Sequence, residues 1–134
     1  MSESDAILFA NEMFYRAFAD RDVPAMESLW ASSAPVCCIH PGWEGIHGRE
    51  DVIESWRAIL VGASAPDIAC IAPRAYYYGE AGYVVCFEGV GGSYLIATNY
   101  FVKEEGRWKM VHHQAGPTRF EPGDMPPESG RSIN

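Results

Sequence analysis

The stretch from Tyr94 to Pro117, YLIATNYFVKEEGRWKMVHHQAGP, constrains this chain more than any other. Two apolar-rich runs meet at Lys103-Glu104-Glu105-Gly106-Arg107, the pattern of a long β-hairpin. A type I turn over Glu104 and Glu105, with Gly106 left-handed in a bulge, is the favoured three-residue connection. That register sets Val102 opposite Trp108, Tyr100 opposite Met110, Thr98 opposite His112 and Ile96 opposite Gln114. Side chains alternate along a strand, so these residues share one face. The other face carries Leu95, Ala97, Asn99, Phe101 and Lys103 against Arg107, Lys109, Val111, His113 and Ala115. Both faces are too apolar to be left to water, and the sheet is expected to be covered on both sides.

The rest of the chain supplies the cover. Its 134 residues fit one domain, and a hydrophobic content of 48% is enough for a packed core. A formal charge of −8 argues against nucleic acid or an anionic membrane as partner, since both reward clustered Lys and Arg. No apolar run approaches membrane-spanning length, and MSESDAIL is acidic where a signal peptide is basic. A cytoplasmic protein is expected. Cys37, Cys38, Cys70 and Cys86 show no metal or redox spacing and read as small buried hydrophobes.

Residues 4–20 form a first helix, with Ile7, Ala10, Phe14 and Phe18 at helical spacing and Ser4 or Asp5 as cap. Asp22 caps a second helix over 23–30. Residues 36–40 form a short strand stopped by Pro41-Gly42, and 49–60 a third helix carrying Val52, Trp56, Ile59 and Leu60. From residue 67 onward the pattern is strand-like, with four antiparallel strands. The order predicts an α+β fold with helices laid over one face of a curved sheet. The domain is assigned to residues 1–117. The proline-rich remainder, 118–134, reads as a mobile tail.

Three segments carry a resemblance: FYRAFADRDVPAMESLW, CIHPGWEGIHGREDVIESWRAIL and TNYFVKEEGRWKMVHHQAGP. Through them the chain resembles the nuclear transport factor 2-like superfamily, its SnoaL-like branch in particular, over about residues 4–117. The resemblance implies a cone-shaped, cystatin-like α+β fold, a curved antiparallel sheet wrapped around a cavity closed by three N-terminal helices. It also implies a homodimer through the sheet's outer face. On the register above, Thr98, Tyr100, Met110, His112 and Gln114 line the cavity. Asn99, Phe101, Val111 and His113 then meet a second subunit.

His40, before Pro41, falls where ketosteroid isomerases of the superfamily keep a general-base aspartate. An imidazole there can accept a proton, since its unperturbed pKa lies near neutrality; the alternative is a histidine anchoring the Trp43 loop. The isomerase's oxyanion donors are matched here by Phe14 and Thr98, so steroid isomerisation is not expected. Tyr15 adjoins Phe14 but lies about 100° round the helix. His112 and Thr98 are the second candidate set, orienting or polarising a substrate, against the alternative of a local hydrogen bond. A one-residue slip exchanges His112 for His113. Phe14, Tyr15, Trp43, Trp56, Tyr100, Met110 and Gln114 complete the expected pocket walls. His40, Glu44, His47, His112 and His113 match no short-range zinc pattern, and no metal or cofactor is expected.

The resulting expectation is a pocket for a small, largely apolar molecule. The chemistry it suits is isomerisation, cyclisation or dehydration with His40 as proton acceptor. The alternative is a non-catalytic dimeric binding or association module.

Overall fold

The computed structural model describes residues 1–124 and opens with helix α1, Glu3–Ala19. Ser2 starts it, not Ser4 or Asp5. The Ser2 hydroxyl accepts the Asp5 N–H while the Asp5 carboxylate accepts the Ser2 N–H, a reciprocal capping box. Helix α2, Val23–Leu29, is capped by Asp22, whose carboxylate accepts the Ala25 N–H. Then come strands β1, Cys37–Ile39, and β2, Ile46–His47, followed by helix α3, Arg49–Val61. Four long strands follow: β3, Ala69–Tyr77; β4, Ala81–Val90; β5, Ser93–Glu104; and β6, Arg107–Thr118. Residues 122–124 form a short 3-10 turn. Most of the expected tail, residues 125–134, lies outside the described residues.

The six strands form one curved, open sheet in the order β2-β1-β6-β5-β4-β3. All pairs are antiparallel except β1 on β6, which run parallel. The fold is therefore the expected α+β cone, with a mixed sheet. Ile7, Ala10, Phe14 and Phe18 of α1 are buried, and so are Asn11 and Tyr15 beside them. The concave sheet covers more of the helix than one narrow stripe. At its closest approach α1 lies so near β4 that a Cβ on Gly82 would sit 2.6 Å from Ile7 Cδ1. Only glycine fits there.

The hairpin departs from its predicted register. Glu105 (φ 53°) and Gly106 (φ 79°) form a two-residue turn closed by the pair Glu104–Arg107. Positive φ at both central residues is the type I′ signature, whose twist matches the flanking strands. Farther from the turn, pairing shifts again between Tyr100 and Phe101, which oppose His112 and Met110 and leave Val111 in a bulge. The observed pairs are Thr98–Gln114, Asn99–His113 and Tyr100–His112.

These shifts reassign the faces. Ala97, Asn99, Phe101, Trp108, Met110, His113 and Ala115 are buried toward the helices. Thr98, Tyr100, His112 and Gln114, predicted to line the cavity, lie on the outer side, where Tyr100 is 40% exposed. Asn99, Phe101 and His113, predicted to meet a partner, are at most 3% exposed and belong to the interior. Met110, also predicted to line the cavity, is buried in the core and does not line it, and Val111, predicted to meet a partner, is half-buried at the bulge.

Two clamps hold the helical layer to the sheet. The Glu104 carboxylate accepts backbone N–H groups of Ser32, Ser33 and Ala34 at 2.8–2.9 Å. Glu3 accepts from Lys103 Nζ and from Trp108 Nε1.

Candidate functional site

Between α1, α3 and the inner face of the sheet lies a cavity of about 320 Å³. Phe14, Phe18, Trp56, Ile59, Ile68 and Leu95 give it apolar walls, and Trp43 stands half-exposed at its edge. Its ionisable groups are Tyr15, His40, Glu88 and His113. Among the described residues no Lys or Arg lines it.

His40 follows β1 and enters a tight turn. Trp43 N–H donates to His40 O at 2.8 Å, with Pro41 and Gly42 (φ 82°) between them. Proline then glycine at the two central positions is what a type II turn demands. The imidazole is packed between Trp43 and Trp56, with ring centroids 4.8 and 4.6 Å away. Its tautomer follows from Ser55, whose only hydroxyl proton is donated to Val52 O at 2.7 Å. Ser55 Oγ must therefore accept at 2.9 Å from His40 Nε2–H. Nδ1 is left as a lone pair, with the Cys38 sulfur 3.9 Å away. Burial pushes the His40 pKa down to about 4, so the ring is neutral at physiological pH.

The opposite wall is a polar network in an apolar setting. His113 Nδ1–H donates to Asn99 Oδ1 at 2.6 Å. The Asn99 amide donates to Asn11 Oδ1 at 2.8 Å and to Tyr15 Oη at 3.1 Å. Tyr15 O–H donates to Glu88 Oε2 at 2.6 Å. These donors fix His113 Nε2 as an acceptor, 4.0 Å from Glu88 Oε2. Burial, then the nearby His40 and His112, push the His113 pKa down to about 3. Burial raises Glu88 above the usual carboxylate range, opposed only in part by the Tyr15 hydrogen bond. Burial, with Cys86 and Glu88 alongside, raises Tyr15 well above an ordinary phenol. Neutral forms are thus favoured throughout the cavity.

The sequence-predicted residues divide accordingly. His40, Phe14, Tyr15, Trp43 and Trp56 come together at the cavity. Met110 is core beneath it. Thr98, Tyr100, His112 and Gln114 do not reach it; His112 Nδ1 instead contacts Cys37 on the outer side, at 3.0 Å from Sγ and 3.1 Å from the carbonyl oxygen. His113 takes the place expected of His112. Asn99 and Glu88 were not among the predicted pocket residues. Glu88 had a signal: alternation in Tyr83–Gly89 puts it with Val84 and Cys86, a carboxylate on a buried face. Among the described residues no three His, Cys, Asp or Glu side chains converge as a metal site would need.

Comparison with known proteins agrees with this architecture. The family model of the SnoaL-like domain matches residues 7–118. The chain is 32% identical over 112 residues to F-box protein SKIP8 of Arabidopsis thaliana, a match covering 82% of this chain and 48% of that protein. It thus spans about half the length of the curated relative it matches. Among solved structures, a candidate dehydratase of the nuclear transport factor 2-like family from Streptomyces avermitilis superposes with a TM-score of 0.80 at 25% identity. That match covers 88% of this chain and 97% of the other. A candidate calcium/calmodulin-dependent protein kinase II association domain from Thiobacillus denitrificans gives 0.69 at 28% identity, covering 82% and 93%. A candidate ketosteroid isomerase from Parabacteroides distasonis, at 14% identity and 0.69 over 88% and 89%, shares the fold.

Proposed function

The chain belongs to the SnoaL-like domain family, and from that membership and its pocket we propose that it binds a small, largely apolar molecule and moves a proton on it without a cofactor. The reaction class is isomerisation, cyclisation or dehydration of a small carbonyl compound. The observation that carries this reading is His40: a buried, neutral imidazole on the wall of an apolar cavity, with Nδ1 free of any oxygen partner. A neutral imidazole has a lone pair that can accept a proton, and the apolar walls limit competition from water. The likeness to a candidate dehydratase over nearly its full length supports the same class.

The test is turnover of a panel of β-hydroxy ketones and enones by the wild-type chain and His40→Ala. His40→Ala is expected to cut turnover by about 10²–10⁴-fold with the fold retained, the range a positioned base supplies. Unchanged turnover of an accepted compound sinks the role of His40.

A second reading, a dimeric association module, draws on the likeness to a kinase association domain and on the outer sheet face. Ile96 and Tyr100 are 38% and 40% exposed there, large apolar groups on a sheet face that none of the described helices covers. In this reading the self-contact runs through Ile96, Thr98, Tyr100, His112 and Gln114, in place of the predicted Asn99, Phe101 and His113. Tyr100→Asp should then convert a dimer to monomer in sedimentation velocity; a wild-type chain that sediments as a monomer at high concentration rules this reading out.

A further inference from the structure

The cavity that His40 lines also holds, between His113 and Glu88, a gap of defined size with an acid beside it. The geometry points to Glu88 as the pocket's proton donor, a carboxyl group kept neutral beside neutral His113, and hence to an uncharged, hydroxyl-bearing substrate. The inference rests on the proton-transfer reading above and extends it to a second group and to the substrate's charge.

Three observations carry it. Glu88 is 2% exposed, and the titratable groups packed around it are Tyr15 of α1, Cys38 of β1, Cys70 of β3, Cys86 of its own strand and His113 of β6, with His40 beyond. None of these is a cation at neutral pH. A buried carboxylate with no cation to pair with is costly, and the group resolves that cost by keeping its proton. Next, His113 cannot take that proton directly. Its Nε2 and Glu88 Oε2 are 4.0 Å apart, too far for a hydrogen bond. An oxygen placed about 2.8 Å from both would close the gap as acceptor from Glu88 and donor to His113, which is the bonding capacity of one hydroxyl group. Finally, the cavity offers an incoming anion nothing. Among the described residues no Lys or Arg lines it, and its two imidazoles are neutral, with His40 Nδ1 and His113 Nε2 left as lone pairs.

The step for a β-hydroxy carbonyl compound balances without a co-reactant. His40 Nδ1 takes the proton from the carbon next to the carbonyl, and that C–H pair becomes the new C=C bond. The C–O bond to the hydroxyl breaks with its electron pair leaving on oxygen, and Glu88 supplies the proton that makes the leaving group water. His40 then holds one proton and Glu88 lacks one. The released water carries the proton back, restoring both. Asn99 is the positioning residue, since its Oδ1 holds the His113 proton on Nδ1 and keeps Nε2 open.

Two measurements test this. The first needs no ligand: ¹³C-carboxyl NMR of the full chain labelled in glutamate, with the Glu88 signal identified by its loss in Glu88→Gln, or by its shift in Glu88→Asp if the glutamine variant does not fold. The expected result is a protonated carboxyl at neutral pH while the exposed glutamates are ionised. An ionised Glu88 at neutral pH overturns the proposal even if the pocket binds ligand.

The second follows quenching of pocket tryptophan fluorescence by two isosteric probes, the benzaldehyde–acetone aldol, a neutral β-hydroxy ketone, and β-hydroxy-β-phenylpropanoate, its carboxylate counterpart. The ketone should bind roughly tenfold or more tighter, because the anion is desolvated with no cation to meet it. That preference should be the same in Glu88→Gln, which removes no charge if Glu88 is neutral. A preference for the carboxylate, or one that collapses in Glu88→Gln, refutes the assignment. Failure of both probes to bind counts against the pocket reading itself and against the substrate class drawn from it, and the NMR result still decides Glu88.

Discussion

Exchanging two adjacent residues of β5 separates the observed register from the one the turn sequence suggests. Asn99 is fully buried and makes three hydrogen bonds: 2.6 Å with His113 Nδ1, 2.8 Å to Asn11 Oδ1 and 3.1 Å to Tyr15 Oη. Leucine has the same branched skeleton, is larger, and makes none of them. The loss is about 1 kcal/mol for each bond, plus about 1–3 kcal/mol for each partner left buried and unsatisfied. Two are stranded, the His113 N–H and the Asn11 oxygen, because Tyr15 keeps its bond to Glu88. Part of this returns through the apolar side chain now buried, worth about 1.5–3 kcal/mol. Asn99→Leu should therefore destabilise by about 2–7 kcal/mol. With a slope of about 1–3 kcal/mol per molar urea, the unfolding midpoint should fall by roughly 1 M or more. Thr98→Val, on the half-buried outer side, should stay within about 0.5 kcal/mol of wild type. Under the three-residue turn the ranking reverses, because Thr98 would then be the interior residue. A loss below about 1 kcal/mol for Asn99→Leu, or a larger loss for Thr98→Val, refutes the register and the network built on it.

Stability should also depend on pH through the cavity. His40 and His113 titrate at about 4 and about 3 when folded, below the 6.5 of the free side chain, so the unfolded chain binds more protons as pH falls below that value. Their contribution is complete above about pH 6.5 and is lost on acidification at roughly 1.4 kcal/mol per histidine per pH unit. Glu88 works in the opposite sense. Its raised folded pKa favours the folded state in acid, and that contribution fades as pH rises from 4.5 through the folded value. Between about pH 6 and about pH 5 the two histidines alone would give about 2.7 kcal/mol per unit; Glu88 opposes them, so the wild-type slope should be shallower and should steepen toward that value in Glu88→Gln. Urea titrations at the two pH values measure it, and equal slopes in the two proteins would refute the opposed titrations. At the surface, Glu104→Gln should lower stability by no more than about 1–2 kcal/mol, since its three backbone bonds to Ser32, Ser33 and Ala34 are screened by water. Those bonds hold the Glu104 carboxyl below its usual pKa, so its contribution is present above about pH 4.5 and lost as pH falls through the lowered value. An acid-side midpoint equal in the two proteins, with wild type more stable near neutrality, is the expected urea result.

Most of the architecture was legible because it rests on local chemistry. The periodic Ile7, Ala10, Phe14 and Phe18, the Asp22 cap and the Pro41-Gly42 stop are each read from a few neighbouring residues, and the elements they mark lie within a residue or two of where these signals put them, while the two-residue strand β2 carried no such signal. The hairpin's existence was equally plain. Its register was not, for a physical reason. Glu104-Glu105-Gly106 supports a three-residue turn or, with Glu105 accepting a positive φ, a two-residue one. Alternation normally settles such a choice by exposing the wrong face, but here both faces are apolar, so a slip of one residue costs little in composition. The bulge at Val111 then carries no mark in sequence at all. The site was affected more than the fold because period-two geometry turns a one-residue error into a change of face. His112 and Thr98 exchanged places with His113 and Asn99, while His40 and Tyr15, placed by a turn and a helix, kept theirs. Glu88 gives the more general lesson. Its strand has no polar face on which a carboxylate could rest, so burial follows from pattern alone whatever the register. A single ionisable residue inside a two-sided apolar strand is a site signal that does not depend on knowing which strand lies beside it.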